Sequence, residues 1–354
     1  MAQQQNNKEG TALIQKRNSN SRGSLIAASF NFINSIIGSG IIGLPYALNQ
    51  AGLPLGLILL ILVGFITDYS IVLLIKGGNL SGSTSYQSLV SFLSTVLTLT
   101  ILIVVMIRAA TLGEHIVPTE NAWAFAKGNA IQAVGVMSFA FICHHNSFLI
   151  YNSLDQPTLS SWSRVTHISV GSSLIISATF AVAGYTTFTG YTQGDIFENY
   201  CRNDNLATFG RFCFGFSIIT TFPLECFVTR EVISNVICSR LLSKAEHVAI
   251  TLLIVAVCTA LSLAYDCLGM VLELNGALSA TPLIFIIPSA CYLKISPGSW
   301  FQSDKMIPAL LIIIGLVVMI IGLIMTGVFP QDCSHGVEMF YCTDVNISGT
   351  VPPK

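Results

Sequence analysis

The chain contains nine runs of apolar residues that are each long enough to cross a lipid bilayer. A hydrocarbon core about 30 Å thick takes about 20 helical residues to span, and the run from Leu89 to Ile107 includes no charged side chain. Because lipid offers no hydrogen-bond partners to the backbone, each run is predicted to be a helix. The predicted spans are 25–48, 52–75, 89–110, 130–151, 168–190, 206–229, 247–267, 270–293 and 306–329.

The scarcity of charged residues excludes several classes of protein. Charged side chains make up 9% of the 354 residues, against about 25% in a typical soluble domain. The formal net charge of −1 leaves no basic excess for binding nucleic acid, and no Gly-x-Ser-x-Gly, Walker or His-Glu-x-x-His motif of a soluble enzyme is present. We therefore expect an all-α polytopic membrane protein, in contact with lipid, that is not an enzyme and binds no nucleic acid.

The distribution of lysine and arginine predicts the orientation in the membrane. If the N-terminus is cytoplasmic, 11 of these residues fall inside and 5 outside, which agrees with the positive-inside rule. The C-terminus is then extracellular. The predicted organisation is a cytoplasmic tail over 1–23, a transmembrane domain over 24–329 and an extracellular tail over 330–354.

Two kinds of covalent modification are predicted on the extracellular side. Cys201, Cys333 and Cys342 face a compartment in which disulfides persist, and a bond between two of these three is expected, with the choice left open. Asn346 begins an Asn-Ile-Ser sequon in the outer tail and is predicted to be glycosylated.

The first span carries residues that a continuous membrane helix should avoid. Asn31 and Asn34 are followed by Gly38-Ser39-Gly40, Gly43 and Pro45. This pattern indicates a helix broken within the membrane. The exposed backbone groups of such a break can hold an ion and a carboxylate. The alternative is close helix packing through small residues.

Two other spans become polar before they end. The fourth contains His144-His145-Asn146, and the sixth contains Thr220-Thr221-Phe222-Pro223. A proline frees a backbone carbonyl, and threonine hydroxyls can bind a hard cation. The alternatives are histidines at the membrane interface and a proline kink satisfied by nearby hydroxyls.

The acidic residues near the spans are expected at helix ends, where snorkelling or pairing explains them. They are Asp68, Glu225, Asp266 and Glu273. With no acid placed at mid-membrane, we expect a site built from backbone ends, amides and hydroxyls.

Three segments carry a resemblance to a known family. Ser29–Ala47 resembles the first helix of the amino acid/auxin permease family, and is most similar to its sodium-coupled neutral amino acid transporters. Ser138–His144 resembles the sixth helix, although many relatives have His-Pro where this chain has His144-His145. Thr220–Pro223 resembles part of the eighth helix.

The resemblance implies an incomplete form of the leucine-transporter fold. The family has eleven helices in an inverted repeat, and this chain has nine predicted spans. Ser85–Val90 resembles the start of the third helix, whereas the residues from about Ser91 resemble the fifth. The third and fourth helices are therefore expected to be absent, as in a shortened splice form, and the surfaces that packed against them are expected to face lipid or an open cavity.

The resemblance also implies a function. The implied function is secondary active transport of small neutral amino acids, coupled to sodium and operating by alternating access. No organic cofactor is expected. The expected location is the plasma membrane rather than an endolysosomal membrane. Two alternatives stay open: a shortened chain that does not transport, and proton-coupled transport in which His144, His145 and the acidic residues near the membrane titrate. The residues implied are Asn34 and Thr220 or Thr221 for sodium, and Gly38, Ser39, Gly40, Phe139 and His144 for substrate.

Overall fold

The computed structural model describes residues 25–76, 85–234, 243–265, 267–296, 303–328 and 338–343, and these residues form helices and connecting turns without a β-strand. The predicted tail over 1–23, Cys333, Asp266 and Asn346 lie outside the described residues. The helices are α1 (Leu25–Ile36), α2 (Leu44–Ala51), α3 (Leu53–Lys76), α4 (Ser85–Leu112), α5 (Ala130–Ala140), α6 (His144–Asn152), α7 (Leu159–Phe188), α8 (Asn205–Val232), α9 (Lys244–Ala264), α10 (Leu268–Asn275), α11 (Ile287–Ile295), α12 (Ser303–Val328) and α13 (Phe340–Thr343).

The predicted all-α polytopic fold is confirmed. Seven helices in the described part of the chain are long and apolar enough to cross a membrane, and the bent pair formed by α1 and α2 brings the number to eight. One of the seven runs from α10 through two π-helical turns into α11. The remaining predicted span, 130–151, is divided into α5 and α6 by a non-helical segment at 141–143.

The break in the first span lies where the glycines predict it. Helix α1 ends at Ile36, a 3₁₀ turn covers Ser39–Gly43, and α2 then begins with Pro45 in its first turn. A proline is tolerated there because the first N–H groups of a helix have no intrahelical partner. The two halves are bent by 48°. A Cβ atom on Gly40 would lie 2.5 Å from Ala140 Cα, so the break of the first span packs directly on the end of α5.

A disulfide marks one end of the bundle. Cys201, in the connection between α7 and α8, is bonded to Cys342 in α13, and the Tyr341 hydroxyl donates to the Asn199 carbonyl at 2.7 Å. We call this end the disulfide end. The structure thereby selects one pair from the three cysteines that the sequence left open.

The long helices surround α7 and the two broken spans. Helix α7 contacts α1, α2, α3 and α4, while α4 also packs along α8 and α1. Helix α5 contacts α2, α10 and α12. Helix α9 has no buried residue and contacts α8. Helix α9 is therefore peripheral. The breaks of the two spans lie in the interior, next to α4 and α8.

Candidate functional site

A cavity of about 370 Å³ lies where the breaks of the first and fourth spans face α4 and α8. Helix α8 starts at Asn205, just after Cys201, and contributes residues from its middle and later turns. The first turns of α8 therefore separate the cavity from the disulfide end. Its polar lining residues are Asn31, Asn34 and Ser35 of α1; Ser91, Ser94 and Thr98 of α4; His145 and Asn146 of α6; and Ser217, Thr221 and Glu225 of α8.

Five of the residues assigned by resemblance line this cavity, namely Asn34, Gly38, Gly40, Phe139 and Thr221. Residues more than 100 positions apart in the sequence thus meet at one place. The Asn34 side chain is 9% exposed, lines the cavity, and makes no hydrogen bond with any of the described residues. Since a buried amide normally has a partner, Asn34 is available to a bound ligand.

The two adjacent threonines differ in position. Thr221 lines the cavity and Thr220 does not, because consecutive residues point about 100° apart around a helix. Both hydroxyls donate to the carbonyl of Ser217, at 2.9 Å from Thr220 and 3.0 Å from Thr221. A donating hydroxyl keeps its oxygen lone pairs for a cation, so Thr221 is the better placed of the two. The Ser39 side chain lies outside the part of the chain that is described.

His144 is buried away from the cavity. It is 3% exposed, and its Nε2 lies 2.9 Å from the Ser70 hydroxyl of α3. Ser70 also donates to the carbonyl of Ile284, between α10 and α11. The side chain therefore connects three helices, while the neighbouring His145 is the histidine that lines the cavity.

Replacing His144 by alanine is expected to destabilise the protein without changing ligand affinity. The change leaves a buried hydroxyl without one of its partners and opens a cavity, at a cost of about 2–5 kcal/mol. Thermal unfolding of purified protein in detergent measures the effect. The matched control is His145→Ala, whose partly exposed side chain should cost less than about 1 kcal/mol; equal losses for the two variants would contradict this assignment.

Glu225 is a cavity residue that sequence reasoning placed at a helix end. Its Oε2 lies 2.9 Å from His145 Nε2. The Asn146 amide donates to the Ser35 hydroxyl at 2.9 Å and approaches Glu225 Oε1 at 3.5 Å. The spacing of Ser217, Thr221 and Glu225, four residues apart, was the available signal, because such residues share one face of a helix. The cavity thus includes one acidic side chain, whereas the sequence predicted a site built from backbone ends, amides and hydroxyls.

The disulfide end of the bundle is closed by a second polar cluster. Glu273 of α10 accepts hydrogen bonds from Tyr46 at 2.7 Å, Gln132 at 3.2 Å and Thr326 at 3.3 Å. At 2% exposure it is buried among α2, α5 and α12, so the expectation that it reaches the membrane interface is wrong. These bonds hold α2 and α5, which belong to the two broken spans, against α10.

Comparison with known proteins identifies a family and close relatives. The family model described as transmembrane amino acid transporter protein matches residues 21–83 and 79–328. A protein of Danio rerio named "Putative sodium-coupled neutral amino acid transporter 11" is 55% identical, over 94% of this chain and 92% of the relative. The Mus musculus protein of the same name is 47% identical, over 96% and 93%. "Vacuolar amino acid transporter 2" of Saccharomyces cerevisiae is 25% identical, over 90% and 86%.

The alignments also show where this chain is interrupted relative to its family. The two matched segments overlap at residues 79–83, just before α4 begins at Ser85. The alignment with the Danio rerio protein extends over 413 positions, more than the 354 residues of this chain, so it includes positions that this chain lacks.

Proposed function

Because this chain belongs to the family of transmembrane amino acid transporters, we propose that it carries neutral amino acids by secondary active transport coupled to sodium. The observation that carries the proposal is the cavity at the meeting point of two broken spans. Discontinuous membrane helices around a central cavity are the usual means by which transporters bind substrate and coupling ion.

The breaks supply groups that suit the carboxylate of an amino acid. Helix α2 and helix α6 each begin at a break, and the unpaired N–H groups of a helix start attract a carboxylate. The Glu225 carboxylate faces the cavity but is paired with His145. Apolar lining residues, among them Ile37, Phe139 and Ile142, suit an uncharged substrate side chain.

Asn34 and Thr221 are the proposed side-chain ligands of sodium. They belong to α1 and α8 and line the same cavity, and both offer neutral oxygen atoms of the kind that hard cations prefer. A cation held between them connects the broken first span to α8. Sodium would then raise substrate affinity by holding the break in its binding geometry, and substrate would raise sodium affinity equally.

Alternating access follows from the asymmetry of the two ends. Contacts of α2, α5 and α10 close the direct route from the disulfide end, whereas the cavity lies beyond the first turns of α8. Opening a route between α2, α5 and α10 would require the Tyr46 and Gln132 hydrogen bonds to Glu273 to separate. The broken spans would move against α4 and α8 during this change.

Uptake by purified protein in liposomes tests the proposal. Labelled alanine or glutamine should accumulate saturably with a sodium gradient and not with choline, and Asn34→Ala should greatly reduce the accumulation. Uptake that is independent of sodium and unaffected by Asn34→Ala contradicts sodium coupling. Repeating the measurement at several pH values identifies proton coupling, the alternative suggested by His145 in the cavity.

A non-transporting membrane protein is the second candidate. The interruption of the family match at residues 79–83 favours it, because a helix that lines the central pathway in the family is expected to be missing. This candidate predicts no uptake with either cation from folded protein. Inserting the corresponding segment of a relative between α3 and α4 should then restore uptake.

A further inference from the structure

A second pocket lies at the disulfide end and shares a wall with the central cavity. It measures about 500 Å³ and is bounded by the connection before α8, the first turns of α8 and Glu338. Phe214 of α8 lines both this pocket and the central cavity, and among the described residues no other side chain does so. We call it the disulfide-end pocket.

The direct route into the central cavity from the disulfide end is filled by backbone and side chains. A Cβ atom on Gly40 would lie 2.5 Å from Ala140 Cα, and one on Gly276 would lie 2.8 Å from Gly135 Cα. Real Cβ atoms essentially never approach other atoms within 3.0 Å. Together with the bonds to Glu273, these contacts pack α2, α5 and α10 closely against one another.

The disulfide-end pocket has a fixed wall and charges of both signs. The Arg211 guanidinium donates to the carbonyls of Phe197 at 2.8 Å and Tyr200 at 2.7 Å, and so holds the connection against α8. The charged residues of the lining are Asp195, Glu198, Arg202, Arg211 and Glu338. The lining thus carries charges of both signs, as does an amino acid zwitterion.

The half-buried ring of Phe214 lies between the disulfide-end pocket and the central cavity. The centroid of the Phe214 ring lies 6.1 Å from the centroid of the Phe197 ring, which lines the pocket. One helical turn further along α8, Ser217 lines the central cavity, and its Oγ lies 2.6 Å from Ser94 Oγ of α4. Because Phe214 lines both the pocket and the central cavity, a change of its rotamer is a local way to join the two spaces.

We propose that the disulfide-end pocket is an entrance for the zwitterionic substrate and that Phe214 is the partition between this entrance and the central cavity. The proposal rests on the transport function proposed above, which it extends by naming a route. Phe214 acts here as a positioning residue, because it controls access to the site without holding substrate in it.

Access of a thiol reagent to the cavity tests the partition without requiring transport. Ser94→Cys places a reporter on the α4 wall, and a membrane-impermeant methanethiosulfonate is added from the disulfide side. Mass spectrometry then measures modification at residue 94. Vesicles with the required orientation are selected by the reactivity of a second reporter, Val117→Cys, because Val117 is exposed in the connection after α4.

Phe214→Ala should accelerate modification of residue 94 at least tenfold, because the smaller side chain joins the two spaces. Phe214→Trp should keep it as slow as in the parent, since a larger ring preserves the wall. The matched control is Phe216→Ala, which removes an exposed ring of the same helix that lines neither space. Cys213, which is buried, should stay unmodified in every variant and so reports an intact fold.

Three results would overturn the partition. They are an unchanged rate in Phe214→Ala, an equal acceleration in Phe216→Ala, and fast modification in Phe214→Trp. Because labelling needs no sodium gradient or substrate, loss of uptake with these rates as expected would count against the transport function and leave the partition standing.

Discussion

Replacing Thr221 by alanine is expected to raise the sodium concentration required for half-maximal uptake roughly 10- to 100-fold. The side chain lines the same cavity as Asn34, and its loss would remove one of the proposed oxygen ligands of sodium. The loss of a hydrogen bond to a charged group, which is a comparable change, costs about 1.5–3 kcal/mol, and every 1.4 kcal/mol is about tenfold in affinity. Uptake at graded sodium concentrations in liposomes gives the value.

Thr220→Ala is the control for this prediction. It removes the same atoms from the adjacent residue of the same helix, and that residue's hydroxyl bonds to helix carbonyls without lining the cavity. The sodium requirement should change less than about twofold, because no ligand of the cation is removed. A larger effect at Thr220 than at Thr221 would assign the cation to the other face of α8.

Replacing Gly276 by alanine is expected to destabilise the protein by about 3 kcal/mol or more. The new Cβ atom would lie 2.8 Å from Gly135 Cα and closer still to the Gly135 carbonyl, so the backbones of two helices would have to separate. Overpacking typically costs about 1–3 kcal/mol, and here no flexible side chain can move aside. The midpoint of thermal unfolding, measured on purified protein in detergent, should fall clearly.

Gly171→Ala provides the comparison. Gly171 lies within α7, and a Cβ atom there would meet nothing within 4 Å. Alanine in a helix without a clash should be neutral or stabilising by about 0.4–1 kcal/mol. If both alanine variants unfolded at the same temperature, the close approach of α5 to the segment after α10 would not exist in the folded protein.

Apolar length predicted most of the helices. The run predicted at 89–110 corresponds to α4 over Ser85–Leu112, and the run at 306–329 to α12 over Ser303–Val328. The span at 130–151 is the exception, because the structure divides it into two helices. Length and hydropathy report that a segment is apolar enough to cross, and do not report whether its backbone is continuous.

The sequence predicted which segments form the candidate site, but it did not predict which of their side chains line the cavity. Glycines and a proline indicated the break after α1, and two threonines before Pro223 indicated a polar part of α8. The structure placed Thr221 and His145 on the cavity, and turned Thr220 and His144 away from it. The four-residue spacing of Ser217, Thr221 and Glu225 was a signal in favour of Thr221, whereas His144 and His145 are identical side chains in adjacent positions.

The sequence by itself determined the membrane-spanning helical class and the break in the first span, because helix length and helix breaking depend on hydrogen bonds within one segment. The tertiary structure alone decided that Glu225 lines the cavity while Glu273 is buried among four helices. It also decided that Cys201 and Cys342 are bonded to each other. These outcomes depend on how each helix is rotated about its axis, and that rotation is set by contacts with helices distant in the sequence.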